Sequence, residues 1–250
     1  MQSKKAVIVG LIFFVVIHPC LGSPLLTPSS DQHTREDALK FWNIANTAFA
    51  PLYGTLAEQI VSDFQLADKE GIGIDLGSGP GNLIIELCKR TKQMHWVNAD
   101  INPHFFPLFG KAADAAGVGH RVSSIFADAQ ALPFRDNYAE IIVSRGSFHL
   151  WEDKRLAFSE IYRVLKPGGV AFVGRGFSEN LPVEIARRIR STQEEKGSRL
   201  KYDVADTAAE LVEIMKSLRI DQYEIRIPKP AGGDGVNYGI WLEFHKPAGN

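Results

Sequence analysis

The sequence predicts an α/β fold in which helices cover both faces of a mostly parallel, doubly wound sheet. Strand-like apolar runs alternate with helical segments over residues 71–174, and this alternation calls for parallel strands joined by right-handed crossovers. Two further runs, residues 221–227 and 238–246, alternate apolar and polar side chains as an antiparallel pair does. The 250 residues, of which 45% are hydrophobic and 23% charged, fit a single domain with a helical cap.

The first 22 residues differ from the rest of the chain. Lys4 and Lys5 precede an apolar run over residues 6–17, Pro19 breaks any helix, and small residues follow before Ser23. A basic start, a short apolar stretch and a small-residue end are typical of a secretory signal peptide. Residues 1–22 therefore predict an exported or membrane-associated protein. An uncleaved membrane anchor and a cytoplasmic protein remain the alternatives.

The remaining segments follow in order. Residues 23–34 are rich in Pro, Ser and Thr and predict a linker. Residues 35–66 predict two N-terminal cap helices with a break near Pro51, because proline is favoured in the first turn of a helix. Residues 67–174 predict the α/β core, and residues 175–220, with two polar helices, predict a helical cap insertion. Residues 221–250 supply the antiparallel strands that complete the sheet.

A glycine-rich loop is the main functional signal. A short buried strand over residues 71–74 leads to Asp75, then to Gly77, Gly79 and Gly81, and a helix is predicted from Asn82. Three alternating glycines leave bare backbone against which a ligand can lie. The pattern indicates a small nucleoside-containing ligand at the carboxyl end of a parallel strand. A dinucleotide, a methyl-donating nucleoside and a purely structural turn are the three interpretations.

The next strands also end in acids. Residues 95–100 predict a second strand ending at Asp100, about 20 residues after the glycine loop, where a carboxylate accepts hydrogen bonds from ribose hydroxyls. Residues 121–128 predict a third strand ending at Asp128, and residues 139–144 predict the fourth. The carboxyl ends of parallel strands share one edge of a sheet, so we expect these acids to line one cleft.

A helix and a fifth strand complete the parallel part. Ala157, Ile161, Val164 and Leu165 fall on one helical face. Gly168 and Gly169 are predicted to end this helix, with Pro167 just ahead of them. The apolar run that follows predicts the fifth strand.

Three motifs carry a family resemblance. The D-x-G-x-G-x-G pattern over residues 75–81, the D-A-x-x-L-P-F segment over residues 128–134 and the R-V-L-K-P-G-G turn over residues 163–169 resemble class I S-adenosylmethionine-dependent methyltransferases. The resemblance covers roughly residues 40 to 246. It implies a Rossmann-like seven-stranded sheet of order 3-2-1-4-5-7-6, and S-adenosylmethionine as cofactor.

The resemblance also implies a set of cofactor-binding residues. In the family, the acid of the third strand accepts from the exocyclic amine of adenine and the following backbone N–H meets a ring nitrogen, which here are Asp128 and Ala129. The loop after the fourth strand borders the methionine end and the methyl group. The full predicted set is Asp75, Gly77, Ser78, Gly79, Gly81, Asp100, Ile101, Asp128, Ala129, Ser144, Arg145 and Tyr53.

His149 is the candidate general base. It follows the fourth strand, where the methyl group should point, and an imidazole titrates near neutral pH. A structural or substrate-contacting role is the alternative for this histidine. Methyl transfer needs no covalent nucleophile or metal, and the scattered histidines predict no metal site.

The leading hypothesis is a methyltransferase that acts on a small molecule. The formal net charge of −1 gives the protein no strong positive potential that would attract a polyanion, so we expect no nucleic-acid partner. We expect membrane association only through the N-terminal segment. A non-catalytic nucleoside-binding protein of the same fold and a nicotinamide-dependent oxidoreductase are the alternatives. Oxygen, nitrogen, sulfur, carbon and metalloid acceptors all stay open, because a fold does not fix its function.

Overall fold

A seven-stranded sheet forms the centre of the molecule in a computed structural model, which describes residues 33–195, 203–230, 232 and 235–249. The strand order is β3-β2-β1-β4-β5-β7-β6, which confirms the predicted order. All neighbouring pairs are parallel except those of β7, which runs antiparallel to both β5 and β6. The strands are β1 (Glu70–Leu76), β2 (Gln93–Asp100), β3 (Val122–Phe126), β4 (Ala139–Arg145), β5 (Leu165–Gly176), β6 (Tyr223–Arg226) and β7 (Gly239–His245).

Helices cover both faces of this sheet, as the α/β prediction requires. They are α1 (Arg35–Asn46), α2 (Ala50–Asp63), α3 (Asn82–Arg90), α4 (Phe106–Ala115), α5 (Lys154–Val164), α6 (Val183–Glu195) and α7 (Val204–Leu218). One apolar cluster joins α2, α3 and α6 to one face, and a second joins α5 and α7 to the other. Apolar side chains therefore cover both faces of the sheet, and the buried polar side chains of Asp75, Asn98, Asp100 and Ser144 lie towards its carboxyl edge.

The turn before β5 differs from the prediction. Helix α5 ends at Val164, and β5 already begins at Leu165, so the helix stops before Gly168 and Gly169. Both Val164 and Leu165 are fully buried, and Leu165 has extended backbone angles. Burial of Leu165 against the sheet thus decides where the helix ends. The Gly168 N–H donates to the carbonyl of Lys246 at 2.8 Å, which ties the turn to the end of the chain.

Strands β3 and β6 are also shorter than predicted. Strand β3 ends at Phe126, so Asp128 lies in the loop beyond it, and β6 has only four residues. Strand β3 is an edge strand with largely exposed side chains, which limits how far its pairing extends. Helix α7 packs on α5 and β7 through the buried Leu211 and Met215, so it covers the sheet itself.

The N-terminal side of the described chain is anchored by a capped helix. The hydroxyl oxygen of Thr34 accepts from the Asp37 N–H at 3.1 Å, and the Asp37 carboxylate accepts in return from the Thr34 N–H and hydroxyl. Pro51 stands in the first turn of α2. The predicted leader, residues 1–22, and most of the linker lie outside the described residues. No helix among the described residues combines the length and the apolar character needed to cross a bilayer.

Candidate functional site

The glycine loop joins β1 to α3 at the carboxyl edge of the sheet. Gly77 has φ +66°, and a side-chain carbon there would lie 2.5 Å from Cβ of Ser147. Only glycine therefore permits the loop after β4 to pack directly on the loop after β1. The Gly77 N–H donates to the carbonyl of Ala99 at 2.7 Å, which extends the pairing of β1 with β2 into the loop.

Gly81 closes the loop and starts α3. It is the residue before the helix and has φ +75°, in the left-handed region. A side-chain carbon at Gly81 would lie 2.1 Å from Cδ2 of Phe109, which is almost fully buried in α4. The absence of a side chain thus lets α3 and α4 close over the base of the loop.

Asp100 holds the loop from the neighbouring strand. One carboxylate oxygen accepts from the Gly79 N–H at 2.7 Å, and the other accepts from the Asn102 N–H at 2.8 Å. On the same face of β2, the buried Asn98 donates from its amide to the Gly79 carbonyl at 3.1 Å. Burial raises the pKa of the Asp100 carboxyl, while these backbone donors oppose the increase. Two side chains of β2 therefore fix both backbone polar groups of Gly79.

Asp75 is the most unusual titratable group of the site. Its side chain is 2% exposed, and Oδ1 has no hydrogen-bond partner. Burial, and then the nearby Asp100 carboxyl, raise the pKa of Asp75 to about 8, although Arg145 opposes the increase. The environment of Asp75 thus favours the neutral carboxyl, and a cationic ligand beside it would favour ionisation.

Buried polar atoms without partners gather at this edge. A buried polar atom without a hydrogen bond costs about 1–3 kcal/mol, so such atoms in the described part of the chain point to a ligand or solvent site. They come from β1, β2, the glycine loop, the start of α3 and the loop after β4. Of the seven such side-chain atoms among the described residues, five lie here: Asp75 Oδ1, Ser78 Oγ, Asn82 Oδ1, Asn98 Oδ1 and His149 Nδ1.

Asp128 and Ala129 lie in the loop after β3. The half-buried Asp128 accepts from the Gln130 N–H at 2.9 Å, which turns the chain, and Ala129 is buried. Glu160 of α5 accepts from the Leu132 N–H at 2.9 Å, and Arg163 donates to the carbonyls of Leu132 and Phe134. Helix α5 therefore holds the segment that follows Asp128.

The end of β4 and the loop after it bring in a hydroxyl pair and a cation. The Ser144 and Ser147 hydroxyls are 2.6 Å apart, and Ser147 donates to the Leu76 carbonyl at 3.1 Å. The guanidinium carbon of Arg145 lies 5.0 Å from the ring centre of Phe49 and 5.9 Å from that of Tyr53. The cation is thus held against the aromatic rings at the start of α2.

His149 lies beside this cation in a short 3-10 turn after β4. Burial, and then the charges of Arg175, Lys154 and Arg145 in that order, lower the pKa of its imidazole to about 4. The ring is therefore neutral at physiological pH. A neutral imidazole can accept a proton, as a general base must. Because the pKa of its protonated form is only about 4, however, His149 is a weak base.

Helix α1 covers the glycine loop from outside. A side-chain carbon at Gly79 would lie 3.1 Å from the ring of Phe41, which in turn packs edge-on against Phe105 and Phe49. The Asn102 amide donates to the Thr34 carbonyl at 3.2 Å, and the Asn82 amide donates to Asn46 at 3.0 Å. The N-terminal helix is thus part of the site wall.

The structure brings most predicted site residues to one edge. The end of β1 and the glycine loop bring Asp75, Ser78 and the glycines to this edge. The end of β2 adds Asp100, and the half-buried Ile101 follows it directly. The adjoining part is lined by Ser144, Arg145 and Tyr53. Asp128 and Ala129 lie beyond β3, at the far end of the same edge.

Sequence reasoning missed Asn98 and Ser147. Asn98 carried a detectable signal, because a residue two positions before Asp100 on a strand shares its face. Ser147 carried none, since its role depends on contact with Gly77 across the sheet. In the segments that the structure describes, no three His, Cys, Asp or Glu side chains are grouped to hold a metal ion.

Comparison with known proteins connects this geometry to a family. Residues 74–173 match the family model of a methyltransferase domain. The chain is similar to a solved structure from Methanococcus maripaludis assigned as an S-adenosyl-L-methionine-dependent methyltransferase, with 31% identity and a TM-score of 0.75. That similarity covers 90% of this chain and 99% of the archaeal one.

Two curated bacterial proteins are similar over shorter stretches. A demethylmenaquinone methyltransferase of Thermus thermophilus is 35% identical over 96 residues, which is 38% of this chain and 43% of that protein. A ubiquinone/menaquinone biosynthesis C-methyltransferase of Pectobacterium carotovorum is 28% identical over 169 residues, 66% of this chain and 67% of that protein. The match thus spans less than half the length of the Thermus relative.

Proposed function

Because the chain belongs to the class I S-adenosylmethionine-dependent methyltransferase family, we propose that it transfers a methyl group from this cofactor to a small-molecule acceptor. The observation that carries the proposal is the group of buried, unpartnered polar atoms around the glycine loop, next to two buried carboxyls. A ligand with a cationic end and several hydroxyl and amine groups matches these acceptors in charge and in hydrogen-bonding type.

Different residues of the site would contact different parts of such a ligand. Asp75 would face the ammonium and sulfonium charges, since a buried carboxyl ionises most readily beside a cation. Asp100 would accept from the ribose hydroxyls, because each of its oxygens has a further lone pair beyond its backbone donor. Asp128 and the Ala129 N–H would meet the adenine, as the family resemblance implies.

Methyl transfer depends more on how the chain positions the acceptor and the cofactor than on catalytic side chains. When bound, the cofactor supplies a methyl carbon already activated by a positive sulfur. The chain has to align the acceptor and exclude water. Phe41 and Phe49 pack together on the outer side of the loop, and Tyr53 is 7% exposed on α2. These rings support a cleft that is shielded from solvent, and His149 remains the candidate base.

Calorimetric titration of the full-length chain tests the proposal. We expect S-adenosylmethionine and S-adenosylhomocysteine to bind, and reduced nicotinamide dinucleotide not to bind. Asp100→Asn should weaken binding about tenfold or more, because it replaces a charged acceptor of two backbone donors. Asp68→Asn, on the exposed Asp68–Lys92 pair, is the control and should bind as the wild type does.

The same titration separates the alternatives. Failure of both sulfur nucleosides to bind at millimolar concentration would overturn the proposal, and tight binding of the nicotinamide cofactor would favour an oxidoreductase. Binding without release of S-adenosylhomocysteine towards a broad acceptor panel would favour the non-catalytic binding protein.

Export through residues 1–22 is a second, separate proposal. The basic start and short apolar run support it, whereas the methyl donor is made in the cytosol. Cell fractionation with N-terminal sequencing of the mature protein tests it. A mature chain that begins near Ser23 in an exported fraction would support export, and an intact Met1 in the cytosolic fraction would exclude it.

A further inference from the structure

The two edge strands of the sheet differ in how they are protected. Strand β6, at one edge, carries Glu224 and Arg226, and residues 228–230 directly after it read Pro-Lys-Pro. Charges and prolines on an edge strand discourage another strand from pairing with it. Strand β3, at the opposite edge, has neither a charged residue nor a proline. The β3 edge therefore lacks these protections against a further strand.

The backbone of β3 shows which of its groups point away from the sheet. The Ala127 N–H, directly after the strand, donates to the carbonyl of Asp100 on β2 at 3.0 Å. Because successive residues of a strand direct their backbone groups to alternate sides, those of Val122, Ser124 and Phe126 point away from β2. Within the described part of the chain, the N–H and C=O groups of Ser124 and Phe126 have no hydrogen-bond partner.

An apolar side chain stands at each end of this row of backbone groups. Val122, Ser124 and Phe126 alternate along β3, so their side chains share one face of the sheet. Phe126 is 40% exposed and belongs to neither apolar cluster of the core. Val122 is half-buried and packs against the first of these clusters. Phe126 is thus an aromatic side chain that the described chain leaves uncovered at an unpaired edge.

Strand β3 is complementary to a second copy of itself that runs in the opposite direction. With Ser124 on a two-fold axis, its N–H and C=O meet the C=O and N–H of Ser124 of the second copy. In the same register the Phe126 N–H meets the Val122 carbonyl. The side chains match as well, because hydroxyl faces hydroxyl and the aromatic Phe126 faces the β-branched Val122, which is a favourable cross-strand pair.

The charges at the two ends of β3 favour the same arrangement. Arg121 precedes the strand and donates to the carbonyls of Thr91 and Cys88, both at 2.5 Å, whereas Asp128 follows the strand and accepts from Gln130. An antiparallel pair brings the start of one strand to the end of the other, and so brings opposite charges together. A parallel pair would bring like charges together. The two-fold arrangement also closes, so no further copy is added.

We infer that two copies of this chain associate through β3, antiparallel about a two-fold axis at Ser124, and that their sheets join into one continuous sheet. This association goes beyond the proposed methyl transfer and does not depend on it. The partner is chosen by the match of backbone groups, side chains and end charges in a single register.

Sedimentation equilibrium of the full-length chain tests the association. We expect the average mass to rise from that of one chain towards that of two over about 1–300 μM, because pairing along one short strand gives a modest interface. Ser124→Lys places like charges across the axis and should weaken association about tenfold or more. Phe126→Ser removes apolar contact and should weaken it about fivefold. Ile227→Ser, at a residue 41% exposed just beyond β6, is the matched control and should associate as the wild type does.

A disulfide cross-link tests the register. Facing residues of a hydrogen-bonded antiparallel pair have Cα atoms about 5.5 Å apart, which a disulfide can bridge. Ser124→Cys should therefore cross-link two chains under mild oxidation, as seen by non-reducing electrophoresis. Ser123→Cys is the matched control, because Ser123 would face Ile125 of the second copy and lie about 7–8 Å or more from its own counterpart, too far for a disulfide. The wild type, which contains Cys20 and Cys88, gives the background.

Circular dichroism like that of the wild type shows that each variant is folded. The inference is overturned if the wild type sediments as one chain over the whole range, if Ser124→Lys associates like the wild type, or if Ser124→Cys cross-links no more than Ser123→Cys. Should Ser124→Lys fail to fold, the two cysteine variants decide the question.

Discussion

The carboxyl edge of the sheet has two halves that are built in different ways: an acidic half, which consists of Asp75, Asp100 and residues 77–81, and a cationic half, which consists of Arg145, Lys154 and Arg175, whose charges act on His149. The acidic half comes from one short stretch of chain and the end of the adjacent strand, and backbone N–H groups hold its Asp100. The cationic half takes Arg145, Lys154 and Arg175 from three elements, and rings and a carbonyl hold its Arg145. The first half depends on backbone geometry, and the second depends on side-chain packing. Changes in the first half should therefore affect folding most, and changes in the second should affect ligand choice.

The largest expected effect follows from Gly81. Gly81→Ala places a methyl group 2.1 Å from the ring of Phe109 and imposes a left-handed backbone on a residue with a side chain. We expect the free energy of unfolding to fall by about 2–5 kcal/mol, measured by urea denaturation. Gly110→Ala is the control, because Gly110 lies inside α4 with no atom within 4 Å of the added carbon. That change should be neutral or stabilise by about 0.5–1 kcal/mol. Equal effects of the two would contradict the close-packing role of Gly81.

Asp75 should link cofactor affinity to pH. Its pKa of about 8 in the ligand-free protein means that a cationic ligand binds with release of a proton. Affinity for S-adenosylmethionine should then rise with pH up to about 8, by as much as about tenfold per pH unit. Calorimetry in buffers of different ionisation enthalpy measures the released proton. Asp75→Asn should bind weakly and without this pH dependence, and a pH-independent wild type would show that the carboxyl is already ionised.

The same group should lower the stability of the ligand-free protein. In the unfolded chain the carboxyl has its ordinary pKa of 3.8, and in the folded protein the pKa is about 8. The folded state therefore binds more protons between these values, so stability is lost as the pH rises from about 4 to 8. Asp75→Asn should raise the unfolding free energy at about pH 8 by on the order of 2–4 kcal/mol. Thermal unfolding of both proteins without ligand checks this, and a less stable variant would refute it.

The acidic half could be predicted from the sequence because its residues are adjacent in the chain. Asp75 and the glycines form one motif, and Asp100 ends the next strand, so periodicity and strand order suffice to bring them together. The strand order itself was predicted from the family resemblance, and the structure confirms it. Individual boundaries were less accurate, because burial of Leu165 ended α5 before the glycines that predicted its end.

The cationic half could be predicted only in part. Arg145 ends β4 and was identified by its place after the predicted fourth strand, residues 139–144, but its contacts with Phe49 and Tyr53 depend on how α2 packs on the sheet. Arg175 gave no separate signal, since nothing in the sequence shows that it approaches His149. The imidazole was expected to titrate near neutral pH. Its burial among three cations, which only the fold reveals, lowers the pKa to about 4.

A nuclear magnetic resonance titration of His149 probes the cationic half without an acceptor. We expect the imidazole to stay neutral from about pH 5 upward, well below the ordinary pKa of 6.5. The spectrum of His149→Gln identifies the signal by its loss. An imidazole that titrates near 6.5 would mean that the cationic half is open to solvent.

The smallest expected effect concerns Leu150, in the 3-10 turn after β4. This side chain is 74% exposed, so Leu150→Ser should change the free energy of unfolding by no more than about 0.5 kcal/mol. Ile227→Ser is the matched control, because Ile227 is 41% exposed just beyond β6, at the far edge of the sheet. Urea denaturation of both variants measures the change, and a loss of more than about 1 kcal/mol at Leu150 with none at Ile227 would contradict the exposed position of Leu150, because only a packed side chain contributes that much.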